Sequence, residues 1–229
     1  MKNITDIIQW GRVRKTRSFL FTAIIALAAA GADAATYTWT GGAGDGKMST
    51  PGNWLNDAVP QNGSEVVFPS ASGEIVNDID SFSPKSITFG ADVSAGIKIS
   101  GNPISGLYAI TNLTASVKPE IAASVTFAEG VEADLLWASS STNYVKWTGG
   151  MTAYTFKKRG ASGDAGNIHI AGNVTITKNH SDWGGYKEID HFFLHESGSV
   201  LTIPNSVVQK TSPVNFSIMD TGAKVRVMG

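Results

Sequence analysis

The sequence predicts an all-β protein, and two observations carry that prediction. A glycine followed by alternating polar and apolar residues recurs along the chain, at residues 96–99, 166–170, 198–203 and 222–227. This pattern is typical of a turn that leads into a short, half-buried strand. After residue 35, no window keeps a 3.6-residue apolar period, and Gly, Ser, Thr and Asn interrupt the chain every few residues. We therefore expect many short strands and almost no helix.

Each predicted strand is a short run of β-branched, aromatic or alternating residues bounded by turn residues. A single segment, 129–139, is also compatible with a short helix, although its residues 133–138 fit a strand. The other predicted strands, in order, are 36–40, 65–68, 85–89, 96–100, 108–113, 125–127, 144–148, 153–157, 167–170, 174–177, 191–195, 200–203, 215–219 and 224–227.

Internal echoes favour a stacked arrangement of these strands. The pair Leu201/Ile203 is followed 24 positions later by Val225/Val227 with the same offset from a glycine, which suits one coil of a solenoid. Residues 39–42 recur as 147–150, and residues 86–89 recur in similar form as 124–127. We predict a right-handed parallel β-helix or solenoid. Because the other intervals vary, a β-sandwich stays open as the alternative.

The first 34 residues are predicted to be a secretory signal peptide. Five basic residues precede an apolar run at 19–30, and Ala32-Asp33-Ala34 supplies a small-x-small cleavage site before Ala35. A helix of that run rises only about 18 Å, short of the ~30 Å needed to cross a membrane. We therefore expect a secreted or cell-surface protein with no membrane span in the mature chain.

The mature chain would have 229 − 34 = 195 residues, enough for one domain or a series of repeats. Removing the five basic and two acidic residues of 1–34 from totals of 18 and 19 leaves 13 and 17, a net charge near −4. That balance gives no electrostatic reason to bind nucleic acid. The absence of cysteine excludes disulfides and a lipoprotein anchor, and it suggests a bacterial source.

The start of the mature chain carries a recognisable motif. Residues 37–54, YTWTGGAGDGKMSTPGNW, are followed by Val59-Pro60 and by the strand 65–68. This stretch resembles the opening of large secreted proteins with autotransporter-associated β-strand repeats. Met48 departs from the pattern, which usually has an aromatic residue there. The resemblance implies a repetitive, surface-displayed β-helix without recognised catalytic residues. We divide the chain into the signal peptide 1–34, an N-terminal cap with first strands at 35–70, and a repetitive β domain at 71–229.

No constellation of residues predicts a catalytic or metal site. The glycine-rich run 41–47 has Met48 where a phosphate-binding loop needs Ser or Thr, so a simple turn explains it better. His191 and His195 could share a strand face, with His180 or Asp182 as a third zinc ligand, but the spacing is weak. The carboxylate pairs Asp78/Asp80 and Glu188/Asp190 lack partners for hydrolysis and fit solvated turns better. We predict no cofactor.

Three tryptophans, Trp39, Trp54 and Trp147, are the candidate binding residues. Exposed rings could stack on sugars, whereas rings beside glycine-rich strands could equally close a solenoid or fill its core, which we favour. The expected function is thus a structural, adhesin-like β-repeat protein without catalytic activity. A secreted carbohydrate-binding module is the alternative, and a β-helix polysaccharide-cleaving enzyme is the third. Surface glycans or envelope proteins are the expected partners.

The C-terminus carries a further expectation. Val225 and Val227 belong to a rung-like strand with two residues after it. A solenoid end without a cap exposes unpaired backbone groups and apolar side chains. We expect either self-association through this edge or a natural chain that continues.

Overall fold

The computed structural model describes residues 34–115, 117–137, 144–160, 167–177, 191–204 and 215–228. Two short 3₁₀ helices, η1 (Pro51–Asn53) and η2 (Leu55–Asp57), are the only helices in these ranges. The strands are β1 (Thr36–Thr38), β2 (Glu65–Phe68), β3 (Gly73–Asn77), β4 (Ser86–Phe89), β5 (Ile97–Gly101), β6 (Ile104–Leu107), β7 (Ala109–Asn112), β8 (Glu120–Ile121), β9 (Val125–Phe127), β10 (Glu132–Trp137), β11 (Lys146–Ala153), β12 (Thr155–Gly160), β13 (Asn167–Ile176), β14 (His191–Pro204), β15 (Asn215–Ile218) and β16 (Lys224–Met228).

The strands form a parallel β-solenoid of about five turns. The first face stacks β1, β2, β4, β7, β10 and β12. The second face stacks β3, β5 and β8, then the first halves of β11, β13 and β14, and ends with β15. The third face stacks β6 and β9, then the second halves of the same three long strands, and ends with β16.

Every ladder between these named strands is parallel, and this confirms the predicted solenoid. A β-sandwich would be built from antiparallel pairs, so that alternative is wrong. The 24-residue repeat is also confirmed, because Leu201 pairs with Val225 and Ile203 pairs with Val227. Segment 132–137 is a strand and not a helix.

The interior is filled by residues that repeat at every second position of each strand. On the first face, Val66, Ile87, Ile110 and Leu135 lie in register one above the other and are all buried. The rings of Phe68 and Phe89 stack beside them with centroids 5.9 Å apart. Each coil therefore buries its apolar face against the next one, as a solenoid requires.

The N-terminal end of this stack is closed by two tryptophans. The rings of Trp39 and Trp54 meet edge to face at 5.0 Å, and both lie near the Phe68 ring, at 6.0 and 6.2 Å. Trp54 Nε1 donates a hydrogen bond of 2.7 Å to the carbonyl of Met48, whose own side chain is buried where the motif usually has an aromatic residue. The segment around η1 and η2 thus brings large apolar surface over the first coil.

The C-terminal end of the described chain differs from this closed end. The last strands, β15 and β16, each pair with β14. Three large apolar side chains of this coil, Ile218, Met219 and Val227, are exposed to solvent. The two ends of the described solenoid are therefore unlike in chemistry.

We expect Trp54→Ala to lower the free energy of unfolding by about 3–5 kcal/mol, because the ring is only 2 % exposed and its removal leaves a cavity over Phe68. Urea titration of residues 35–229, followed by far-UV circular dichroism, measures the change. Leu55→Ala is the matched control, because the neighbouring side chain is 55 % exposed and its loss should change the free energy by less than about 0.5 kcal/mol. Equal effects of the two substitutions would contradict a closing role for Trp54.

Candidate functional site

The three tryptophans singled out from the sequence are all buried. Trp39 and Trp54 close the N-terminal end, and Trp147 points from β11 into the core, where its ring meets Phe127 at 6.4 Å. A buried ring has no free face on which a sugar could stack. The burial of Trp39, Trp54 and Trp147 therefore argues against the glycan-platform interpretation and places all three among the core residues.

The glycine-rich run 41–47 is a turn held by one carboxylate. Asp45 accepts hydrogen bonds from the Lys47 backbone N–H at 3.0 Å, the Thr50 hydroxyl at 2.7 Å and the Asn53 amide at 2.6 Å. These three donors, led by the Lys47 backbone, lower the pKa of Asp45. The carboxylate is thus engaged in holding the turn against η1.

The first carboxylate pair, Asp78 and Asp80, is also engaged in hydrogen bonds with loop residues. Asp78 accepts from the backbone N–H and the hydroxyl of Ser49, at 2.8 and 2.6 Å. Burial raises the pKa of Asp78, but these hydrogen bonds outweigh burial and the net shift is downward. Asp80 accepts from the Asn102 amide at 3.3 Å. The second pair, Glu188/Asp190, lies outside the described residues, as do His180, Asp182 and the side chain of His191.

Charged side chains of alternating sign run along the outer surface of the second face. In register order they are Glu74, Lys98, Glu120 and Lys146, which we call the charged ladder. Lys98 Nζ lies 3.6 Å from a Glu74 carboxylate oxygen. Hydroxyls support both acids, because Ser100 donates to Glu74 at 2.7 Å and Thr148 donates to Glu120 at 2.8 Å. Each charge therefore faces the opposite charge on the next coil.

At its C-terminal end the charged ladder meets an aromatic cluster formed by Lys118, Tyr144 and His195. Lys118 Nζ donates to the Tyr144 hydroxyl at 3.1 Å and lies 4.5 Å from the ring centroid. The Tyr144 ring stacks on the His195 imidazole with centroids 4.6 Å apart and planes 19° apart. Tyr144 is only 3 % exposed and is not part of the main apolar cluster of the interior. We call this group the Tyr144 cluster.

The Tyr144 cluster reaches across an intervening coil. Ala171 is the register partner of Lys146 on one side and of His195 on the other, and it is fully buried. Lys146 nevertheless forms a 2.7 Å ion pair with Glu196, the residue after His195. A small side chain at position 171 leaves the space through which these longer side chains meet.

Burial and neighbouring groups shift the pKa values of His195 and of Lys146 beside the cluster. Burial lowers the pKa of His195, and the Lys118 charge lowers it further, against the opposite effects of Asp220 and Glu196. The hydrogen bond to Glu196 is the main reason that the pKa of Lys146 is raised, with burial opposing it. Glu196 adopts a positive φ of 69°, and its N–H donates to Asp220 at 2.9 Å. Burial and the Lys118 charge thus favour the neutral form of the His195 imidazole, and the contacts of the cluster join coils of the solenoid.

Sequence reasoning singled out His195, but as a member of a zinc site with His191. Among the described residues, no group of three or more His, Cys, Asp or Glu could hold a metal ion. Lys118 and Tyr144 were missed, although each lies two positions before a member of the charged ladder, Glu120 and Lys146. That period-2 spacing places them on the same outer surface, but only the register between coils shows that they meet.

Comparison with known proteins gave no match: no family model matches this chain, and neither does any curated protein or solved structure. The resemblance of residues 37–68 to autotransporter-associated repeats thus stays a prediction. Within the described part of the chain, neither of the two short helices has the length and apolar character of a membrane span.

We expect His195 to make stability depend on pH. The unfolded imidazole titrates near its ordinary pKa of 6.5, whereas the folded one titrates lower. Below about pH 6.5 the unfolded chain therefore binds the proton more readily, and stability falls with pH; above it the contribution is fully present. Urea midpoints measured between pH 5 and 7.5 should fall less steeply for His195→Gln than for the wild type. Parallel profiles would show that His195 is not desolvated as the structure describes.

Proposed function

We propose that this chain is a secreted or surface-displayed structural protein of the adhesin-like kind, which acts through the lateral faces of its solenoid and not by catalysis. The observation that carries the proposal is that charged side chains of the described residues form hydrogen bonds and ion pairs within the fold. Four of them make hydrogen bonds or ion pairs across turns or coils: Asp45, Asp78, Glu120 and Lys146. A solenoid built in this way presents long, regular surfaces, and such surfaces suit the binding of extended partners.

The sequence supports the extracellular address. Ala35 is preceded by a basic segment, by an apolar run too short to cross a membrane and by a small-x-small motif typical of signal-peptide cleavage sites. The mature chain has no cysteine, so its stability must come from burial and backbone pairing, which the stacked coils supply. We expect the chain to act at the cell surface, where other proteins of the cell envelope would hold it.

This proposal predicts export and exposure at the cell surface. Mass spectrometry of the N-terminus of the exported protein should find Ala35, and protease added to intact source cells should remove the protein. A cytoplasmic enzyme of the same cells is the control, because it should survive the same treatment. Protein that retains Met1 and is protected inside intact cells would contradict the proposal.

We further propose that the mature chain self-associates through its C-terminal edge. Three exposed apolar side chains lie at this edge: Ile218 in β15, Met219 directly after it, and Val227 in β16. Among the described strands, β15 and β16 each pair only with β14, so each has an edge with backbone N–H and C=O groups available for pairing. The N-terminal end is closed by tryptophan rings, so the two ends would not associate equally.

Lysines at Ile218 and Val227 should therefore reduce association of residues 35–229, measured by analytical ultracentrifugation over a wide concentration range. Leu55→Lys is the matched control, because Leu55 is 55 % and Ile218 57 % exposed, at opposite ends of the described chain. The control should associate like the wild type. A wild-type chain that stays monomeric at the highest concentration would contradict the edge as an interface.

A further inference from the structure

A groove lies on the outside of the solenoid, at the corner between the third face and the first. Its volume is about 510 Å³, within the range of ligand sites in proteins. Four successive coils contribute to it, through Gly63, Lys85, Tyr108 and Ala128. Because neighbouring strands lie about 4.8 Å apart, the groove runs roughly 14 Å along the solenoid axis.

Backbone hydrogen bonds hold these corner residues in line. Gly63 N–H donates to the Ser83 carbonyl at 2.7 Å, and Tyr108 N–H donates to the Lys85 carbonyl at 2.9 Å. The floor is open because two corners are glycines: a Cβ at Gly63 would have no neighbour within 4 Å, whereas one at Gly106 would come within 2.4 Å of the Ser83 hydroxyl. Larger residues at these corners would therefore fill or distort the groove.

Tyr108 forms one wall and is 47 % exposed. Of the aromatic side chains that the structure describes, it is the only exposed one. An aromatic ring left open in a concave surface is typical of binding sites, because it offers a flat apolar face together with a polar hydroxyl. The apolar face of a sugar ring matches that surface in size and chemistry.

Lys85 and Asn62 supply the polar groups. Among the residues that the structure describes, Lys85 is the only charged side chain that lines the groove, and its partner Glu65 is loosely placed at 3.9 Å with both side chains well exposed. Such surface pairs are weak, so the ammonium group can contact a bound anion. The Asn62 carbonyl oxygen accepts from the Ser83 N–H at 2.8 Å, which orients the side chain and leaves its amide group with two donors for hydroxyls.

We infer that this groove binds a linear, carboxylate-bearing polysaccharide lengthwise, with one sugar ring on Tyr108 and one carboxylate at Lys85. The inference rests on the proposed function insofar as an exported protein would meet such polymers. A single positive charge, with no carboxylate among the described lining residues, favours an acidic chain over a neutral one. The long, shallow shape favours an extended polymer over a compact small molecule.

The test is a calorimetric titration of residues 35–229 with soluble polygalacturonate, and with its methyl ester as the uncharged chain of the same backbone. Polygalacturonate should bind, and the ester should bind roughly tenfold more weakly, as expected for the loss of a charged hydrogen bond. Tyr108→Ala and Lys85→Gln should each weaken binding of polygalacturonate by about tenfold or more. Raised salt should weaken the wild-type interaction as well.

Matched variants separate the groove from general surface effects. Lys98→Gln removes a comparable lysine, with Nζ 3.6 Å from Glu74 and 43 % of the side chain exposed against 53 % for Lys85. Leu55→Ala removes an exposed apolar side chain that does not line the groove. Both should bind polygalacturonate like the wild type, and circular dichroism should show that all four variants fold.

Three results would overturn the inference: no binding by the folded wild type, equal binding of acid and ester, or unchanged binding by folded Tyr108→Ala. These outcomes are distinguishable from failure of the proposed function, which depends on export and surface exposure. A surface-displayed protein that does not bind polygalacturonate would refute only the inference about the groove. A protein retained inside cells would refute the proposed function, whatever it binds.

Discussion

The structure depends on the parallel pairing of each coil with the coil before it. A coil of this chain contributes only a few inward side chains, so no coil could bury its apolar face alone. The register between coils determines which side chains lie one above the other. Only when the strands align do the outward charged ladder and the inward column form, the latter from Val66, Ile87, Ile110 and Leu135. A slip of one residue would exchange the inner and outer columns throughout the affected face.

Tight turns between the faces make that pairing possible. A Cβ at Gly172 would lie 2.1 Å from the Trp147 carbonyl oxygen, and one at Gly101 would lie 2.3 Å from the Asn77 carbonyl oxygen. Both glycines also have positive φ, near 99° and 96°. The chain can turn from one face to the next while keeping the coils at hydrogen-bonding distance because these positions carry no side chain.

The strands were largely predictable, but their places in the solenoid were not. The glycine-led pattern identifies β5 and β16, yet the first lies on the second face and the second on the third. Similarly, the repeated segments 86–89 and 124–127 form β4 on the first face and β9 on the third. Local alternation specifies which side chains point inward, whereas the face is set by the lengths of the intervening turns. Short strands such as β8, with two residues, give too few alternations to be recognised.

The candidate site was predictable only in part, for the same reason. His195 attracts attention by its residue type, but Tyr144 and Lys118 become relevant only when coils are stacked and Ala171 leaves room between them. The groove at Tyr108 is assembled from four separate coils, so no local motif marks it. Its signals, an exposed aromatic ring and glycines at two corners, of which one is open and one closely packed, exist only in the folded solenoid.

The charged ladder has a consequence for how such a chain can grow or shrink in evolution. Its charges alternate from Glu74 to Lys98 to Glu120 to Lys146, one to each coil. Deleting a single coil at Lys98 would bring Glu74 beside Glu120, two like charges in direct opposition. Deleting or duplicating two adjacent coils would preserve the alternation. Changes of length at this surface are therefore expected to favour pairs of coils, about 48 residues at a time for a 24-residue coil.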